Sequence, residues 1–131
     1  MIEQTDILVL DDVKNLVDTF YGKVRQDDLL SPIFNRVIGD KWDIHLDKMY
    51  RFWQTVLLKE HTYLGAPFAP HMKLPVEGKH FDRWQALFYE TIDEKFSGEK
   101  AKEAKWRASK MAEMFQMKIA HYKKSQTNPL L

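Results

Sequence analysis

The chain has 131 residues, 44% of them hydrophobic and 13% aromatic, with 20 basic residues, 19 acidic residues and no cysteine. That length suits one domain around one core, and the charge balance leaves no electrostatic footprint for nucleic acid or a membrane surface. The missing cysteine excludes disulfides, thiolate-bound zinc, iron–sulfur clusters and thioether attachment of a cofactor.

Residues 1–10 carry two acids and no base, which is not a signal-peptide pattern, and the expectation is a soluble cytoplasmic protein. No apolar run approaches the roughly 18–20 residues that span a bilayer.

In chain order, Asp11 or Asp12 is expected to cap a first helix. Its inward stripe is Val13, Leu16, Val17, Phe20, Tyr21 and Val24, and Asp27-Asp28 bounds it. Tyr21 falls on that stripe, away from Lys14, Asp18 and Arg25. Ser31-Pro32 predicts a short helix, with serine as its cap and proline at its first position, carrying Ile33 and Phe34 and closed by Gly39. Asp40 is expected to cap the next helix, which runs to about Lys59. Its stripe is Trp42, His45 or Leu46, Met49, Phe52, Trp53 and Val56. A helix from Gly78 carries Phe81, Trp84, Leu87, Phe88, Ile92 and Phe96, and Ser97-Gly98 ends it. The last helix is predicted over Glu99–Lys124, with Ala101, Ala104, Ala108, Met111, Phe115, Ile119 and Tyr122 on one face. Residues 125–131 are expected to fray. The fold class is all-α, a single domain over 1–131 whose core spans about 11–122.

The stretch between the third and fourth strong helical patterns departs from this regularity. Pro67, Pro70 and Pro75 cannot donate backbone hydrogen bonds, and each disfavours helix in the residue before it. His71 sits among them, held out from the helical framework as a ligand would be. Tyr21, His45 and Trp84 place polar tips on inward stripes. One neutral imidazole can coordinate a haem iron while its second nitrogen donates to a carbonyl or carboxylate. Tyr and Trp supply donors for a ligand on the opposite face, and His can donate or accept. The competing reading is ordinary: such rings pack cores with their polar atoms satisfied by carbonyls, and His61, His80 and His121 belong to that background. Spacing and composition leave a haem pocket and a plain helical core both open.

Five segments, taken together, resemble the truncated haemoglobins, and within them group III: FYGKV (20–24), SPIF (31–34), WDIHLDKMYRFW (42–53), PFAPHMKLP (67–75) and HFDRW (80–84). Their order and intervals carry the resemblance, with 13 residues from Tyr21 to Phe34, 11 on to His45, 26 on to His71 and 13 on to Trp84. The double-glycine turns typical of groups I and II are missing, since all five glycines are isolated. The resemblance implies an abbreviated globin fold, two helices over two around haem b. It implies His71 as the proximal iron ligand, and Tyr21, His45 and Trp84 as distal groups that stabilise bound ligand. Phe34 would pack on the porphyrin, and Met49, Phe52 and Trp53 would line it. Lys41, Lys48, Arg51 and Arg83 stay open as propionate partners.

The function so implied is binding of O2, NO or other diatomics, with fixed donors slowing O2 release and favouring redox chemistry over bulk storage. An enzymatic alternative is nitric oxide dioxygenation or peroxidase-like chemistry. Electrons for it would come from a separate reductase, because the chain has no glycine-rich dinucleotide fingerprint. A haem-free helical interaction module is the remaining reading.

Overall fold

The computed structural model describes residues 4–63, 65, 71 and 74–127. Among them are five helices: α1 (Leu10–Val24), α2 (Ser31–Ile38), α3 (Trp42–Leu58), α4 (Gly78–Lys95) and α5 (Glu99–Thr127). The all-α expectation holds. Pro67, Pro70 and residues 128–131 lie outside the described residues, while 125–127 continue α5 rather than fray. No described helix is long and apolar enough to cross a membrane.

The helix starts differ from expectation in an instructive way. Val9 precedes α1 and has no side-chain acceptor, so Asp12 reaches back from inside the first turn and accepts the N–H groups of Leu8 (2.9 Å) and Val9 (3.1 Å). Ser31 is the first residue of α2 instead of its cap, and Asp40 does not cap α3, which starts after Lys41 with no side-chain cap bond. His80 does for α4 what Asp12 does for α1, its Nδ1 accepting the Glu77 N–H at 2.9 Å. Gly39 and Lys59, both at φ 60°, turn the chain out of α2 and α3.

α1 packs on α3 and α4, and α4 packs on α5. Gly78 faces Gln116 at one end of the α4–α5 pair, and the Tyr89 hydroxyl donates to the Lys105 carbonyl (3.2 Å) further along, so these two helices run antiparallel. Ala101, Ala104, Ala108 and Ala112 are the buried residues that let α4 approach closely. The core holds Val13, Leu16, Val17 and Phe20 of α1, Leu57 of α3, and Leu87, Phe88 and Ile92 of α4. Each buried large side chain contributes roughly 1.5–3 kcal/mol relative to exposure. Thr91, wholly buried, satisfies its hydroxyl on the Leu87 carbonyl at 2.8 Å.

The segment before α1 is tied to the α4–α5 junction. Thr5 bridges Phe96, and Gln4 donates to the carbonyls of Asp93 (3.0 Å) and Glu94 (2.8 Å). Asp6 accepts the N–H groups of Lys100 and Ala101, both at 2.9 Å, and so caps α5 from more than ninety residues away in sequence. Burial alone would raise this carboxyl, but the donors from Lys100, Ile7 and Ala101 outweigh it and hold it below its ordinary value. Gly98 permits the approach: its φ is 131°, and a Cβ there would lie 2.6 Å from the Asp6 carboxyl carbon.

Gly98→Ala is expected to lower unfolding stability by about 1–3 kcal/mol, as strained backbone does. Asp6→Ala should cost about 0.5–2 kcal/mol at neutral pH, like other lost caps. The native carboxylate is favoured over the unfolded one, so its contribution is full above about pH 4 and disappears as pH falls through the lowered native pKa. Urea unfolding across pH measures both. A wild type and Asp6→Ala that differ equally at pH 7 and pH 2.5 would contradict this account.

Candidate functional site

Consecutive residues of α1 serve two aromatic groups. Tyr21, almost fully buried, meets His45 edge-on with ring centres 5.0 Å apart, and lies 5.9 Å from Trp42 and 6.1 Å from Phe34. Trp42 also meets His45 at 5.7 Å, and the Arg25 guanidinium covers the Trp42 ring at 4.5 Å. Three elements therefore converge: α1 gives Tyr21, α2 gives Phe34, and the first turn of α3 gives Trp42 and His45. The stripe on α3 contained Trp42, but its place beside Tyr21 and His45 was not foreseen as part of the site. The i, i+3 spacing of Trp42 and His45 was the available signal.

The electrostatics of this group are specific. Burial pushes the Tyr21 phenol well above its usual range, so it stays a neutral O–H donor. Burial first, then the electrostatic influence of His71 and of the Lys48 ammonium, push the His45 imidazole down to about 4, so it is neutral at pH 7. Its Nε2 is buried and has no hydrogen-bond partner among the described residues. Leaving a polar atom in that condition costs roughly 1–3 kcal/mol.

Phe20, on the neighbouring face of α1, meets Tyr21 at 4.8 Å, Trp84 at 5.6 Å and Phe88 at 5.1 Å, each edge to face. Trp84 and Phe88 are nearly parallel, at 6° and 5.6 Å, and Phe88 stacks in turn on Trp53 of α3 at 5.1 Å. Trp84 is thus joined to Tyr21 through Phe20. Phe52 meets Trp53 (5.2 Å) and Tyr63 (5.4 Å), and Met49 is half-buried against the same core.

His71 is half-buried, seven residues ahead of α4, with its ring 4.8 Å from that of Phe115 on α5. A proton on His71 would disfavour one on His45, so the two imidazoles lie within electrostatic reach of each other. Among the cations left open as anion partners, Arg51 pairs with Asp47 at 2.9 Å and Arg83 with Asp27 at 2.6 Å. Asp27 itself was read only as the end of α1; it is a buried carboxylate. Of the remaining histidines, His61 and His121 are exposed.

The sequence pattern of the bacterial-like globins matches residues 8–120. The group 3 truncated hemoglobin of Campylobacter jejuni is 35% identical over 114 residues, covering 84% of this chain and 90% of that protein. The crystal structure of the group III truncated hemoglobin from Campylobacter jejuni matches this fold with a TM-score of 0.81 at 32% identity, covering 89% of this chain and 95% of that one. A half-buried neutral imidazole whose buried Nε2 has no partner among the described residues, a buried tyrosine ring against it and a second imidazole against Phe115 of α5 suit a globin pocket. The chain belongs to the bacterial-like globin family and has the truncated-haemoglobin fold of group III.

Proposed function

We propose that the chain holds haem b through His71 and binds O2 and related diatomics beside Tyr21, His45 and Trp84, for redox chemistry of O2 or NO rather than bulk storage. The observation that carries this reading is the buried Nε2 of His45, without a partner among the described residues, on a ring that meets the neutral phenol of Tyr21. A helical core gains nothing from that atom, whereas a ligand-binding site does. The residues fit a flat hydrophobic group: Phe34, Phe52, Trp53 and Met49 offer apolar walls, and His71 offers an imidazole near them in sequence order and in electrostatic reach of His45.

Haem supplies an iron centre at which a small ligand is held and reduced or oxidised. The polypeptide supplies the rest. Tyr21 keeps its proton at any physiological pH and so has an O–H to donate. His45 is neutral and offers one donor or one acceptor according to tautomer. Packing of Tyr21 against Phe20, Phe34, Trp42 and His45 restricts its ring, so the hydroxyl requires little reorganisation. Hydrogen bonds to a partly charged acceptor contribute roughly 1.5–3 kcal/mol each. Two of them slow release by about two to four powers of ten, at 1.4 kcal/mol per decade. That retention disfavours a carrier and suits a reactant. The same polar lining serves nitric oxide dioxygenation or a peroxidase-like reaction, with a separate reductase as electron donor.

Purified protein should show an intense Soret band that His71→Ala abolishes or strongly shifts, and a colourless wild type that takes up no added haemin would refute the reading. Tyr21→Phe and Trp84→Phe should each raise the O2 dissociation rate by about tenfold to a hundredfold, one donor's worth. His45→Leu should stabilise the haem-free protein by about 1–3 kcal/mol while weakening ligand retention. The native His45 pKa of about 4 lies below the ordinary 6.5, so wild-type stability is full above pH 6.5 and is lost as pH falls through 4. His45→Leu should lack that part of the acid limb in a urea titration.

A further inference from the structure

Asp27 and Arg83 connect the parts of this pocket in a way their role as an ion pair does not require. The Asp27 side chain is 6% exposed and Arg83 is 48% exposed, with Nε donating to Oδ1 over 2.6 Å. The other carboxylate oxygen accepts the N–H groups of Leu29 (3.2 Å) and Leu30 (3.0 Å), and the Asp27 carbonyl accepts the Ser31 N–H (2.9 Å). The whole α1–α2 connection is therefore organised on one residue.

From there two routes lead to Tyr21. In one, Phe34 donates its N–H to the Leu30 carbonyl (3.0 Å) and sets its ring 6.1 Å from Tyr21. In the other, Trp84 follows Arg83 on α4, meets Phe20 edge-on, and Phe20 meets Tyr21. The circuit Asp27, Arg83, Trp84, Phe20, Tyr21, Phe34, Leu30 closes on itself. Arg83 lies in the second turn of α4, whereas Lys23 grips α4 nearer its far end, at Glu90 (3.7 Å) and Glu94 (2.9 Å). Burial alone would raise the Asp27 carboxyl, but Arg83 and the N–H groups of Leu30 and Leu29 outweigh it and hold it below its ordinary value, so the pair contributes stability as well as position.

We propose that Asp27 and Arg83 are a positioning pair that locks the start of α4 to the α1–α2 connection, holding the Trp84 indole in register with Tyr21 and so tuning the hydrogen bonding offered to a distal ligand. This rests on Trp84 acting as a distal donor in a haem-loaded protein. Its chemistry is mechanical: the pair touches no ligand, and removing it lets α4 rotate or slide by the slack of its packing. Asp27→Asn keeps an acceptor for Leu29 and Leu30 while discharging the pair, and so separates positioning from collapse of the loop.

The test uses the haem-loaded ferrous protein, as its CO complex for the C–O stretch and as its O2 complex for the dissociation rate, in wild type, Asp27→Asn, Arg83→Gln, Trp84→Phe and Arg83→Gln/Trp84→Phe. The readouts are the C–O stretching frequency, the Trp84 indole cross-peak (the one missing from Trp84→Phe), the O2 dissociation rate and the melting temperature. Asp27→Asn and Arg83→Gln are expected to move the indole peak, raise the C–O frequency and speed O2 release by about fivefold to tenfold, up to one decade or 1.4 kcal/mol. In the Trp84→Phe background, Arg83→Gln should add less than about twofold, since coupled sites are non-additive. A lowered melting temperature with the indole peak and C–O frequency unmoved would overturn the proposal and leave the site reading intact. So would an effect of Arg83→Gln undiminished by Trp84→Phe. If Trp84→Phe itself leaves frequency and rate unchanged, the donor reading of Trp84 fails, and the proposal falls with it.

Discussion

Phe20 is the contact on which the arrangement depends. It is 2% exposed, and its ring meets Trp84 and Phe88 of α4 on one side and Tyr21 on the other. Phe88 carries the stack on to Trp53, so one aromatic column ties α1, α4 and α3 together. Edge-to-face and stacked pairs add roughly 0.5–1.5 kcal/mol each beyond the area they bury, and their geometry fixes rotation as well as distance. A helix is one rigid object over this span. Fixing Phe20 therefore fixes where Tyr21, the next residue, can point.

That rigidity explains how polar groups survive inside an apolar core. Tyr21 and His45 face each other in surroundings that disfavour any charge on either, and both are held neutral. Replacing His45 by a hydrocarbon of similar size would remove an unpaired nitrogen, yet the fold retains it. Residues that break the packing rule without compensation in the polypeptide are where a ligand is expected. By contrast Thr91, equally buried, is closed off on its own helix and offers nothing outward. The distinction between a structural and a functional buried polar group is visible here in whether the chain itself supplies the partner.

The apolar stripes were legible in the sequence because helical periodicity is a local property: the six residues marked on α1 are its six buried ones. The caps were not. Asp6 acts on α5, and Asp27 answers Arg83, 56 residues away, so neither acid reveals its partner by spacing. Asp40 has the right residue type beside the right helix and makes no cap, since capping depends on backbone angles that composition does not encode. Tyr21 and His45 could be placed on inward faces, but their meeting required the crossing of α1 and α3, which periodicity leaves free. The functional roles of the site residues came from the family resemblance, and the family itself is established by the match over residues 8–120.

The buried face of α5 changes in side-chain size along the helix. Its buried face is alanine at 101, 104, 108 and 112, then turns large at Phe115 and Ile119. At 1.5 Å per residue its 29 residues span about 43 Å, against about 27 Å for the 18 of α4. Since Gly78 at the start of α4 faces Gln116, the alanines lie under α4 and the large residues begin where α4 begins. Close approach is needed under α4, whose rings must be pressed toward α1 and α3. Bulk is needed beyond it, where His71 precedes α4 and α5 alone of the pair meets its ring. Phe115 fills that position, 4.8 Å from the imidazole. A uniform alanine face would leave His71 without its aromatic support. A uniformly bulky one would push α4 outward and open the column that Phe20 closes. The step in side-chain size along α5 thus meets two requirements that a single residue type cannot.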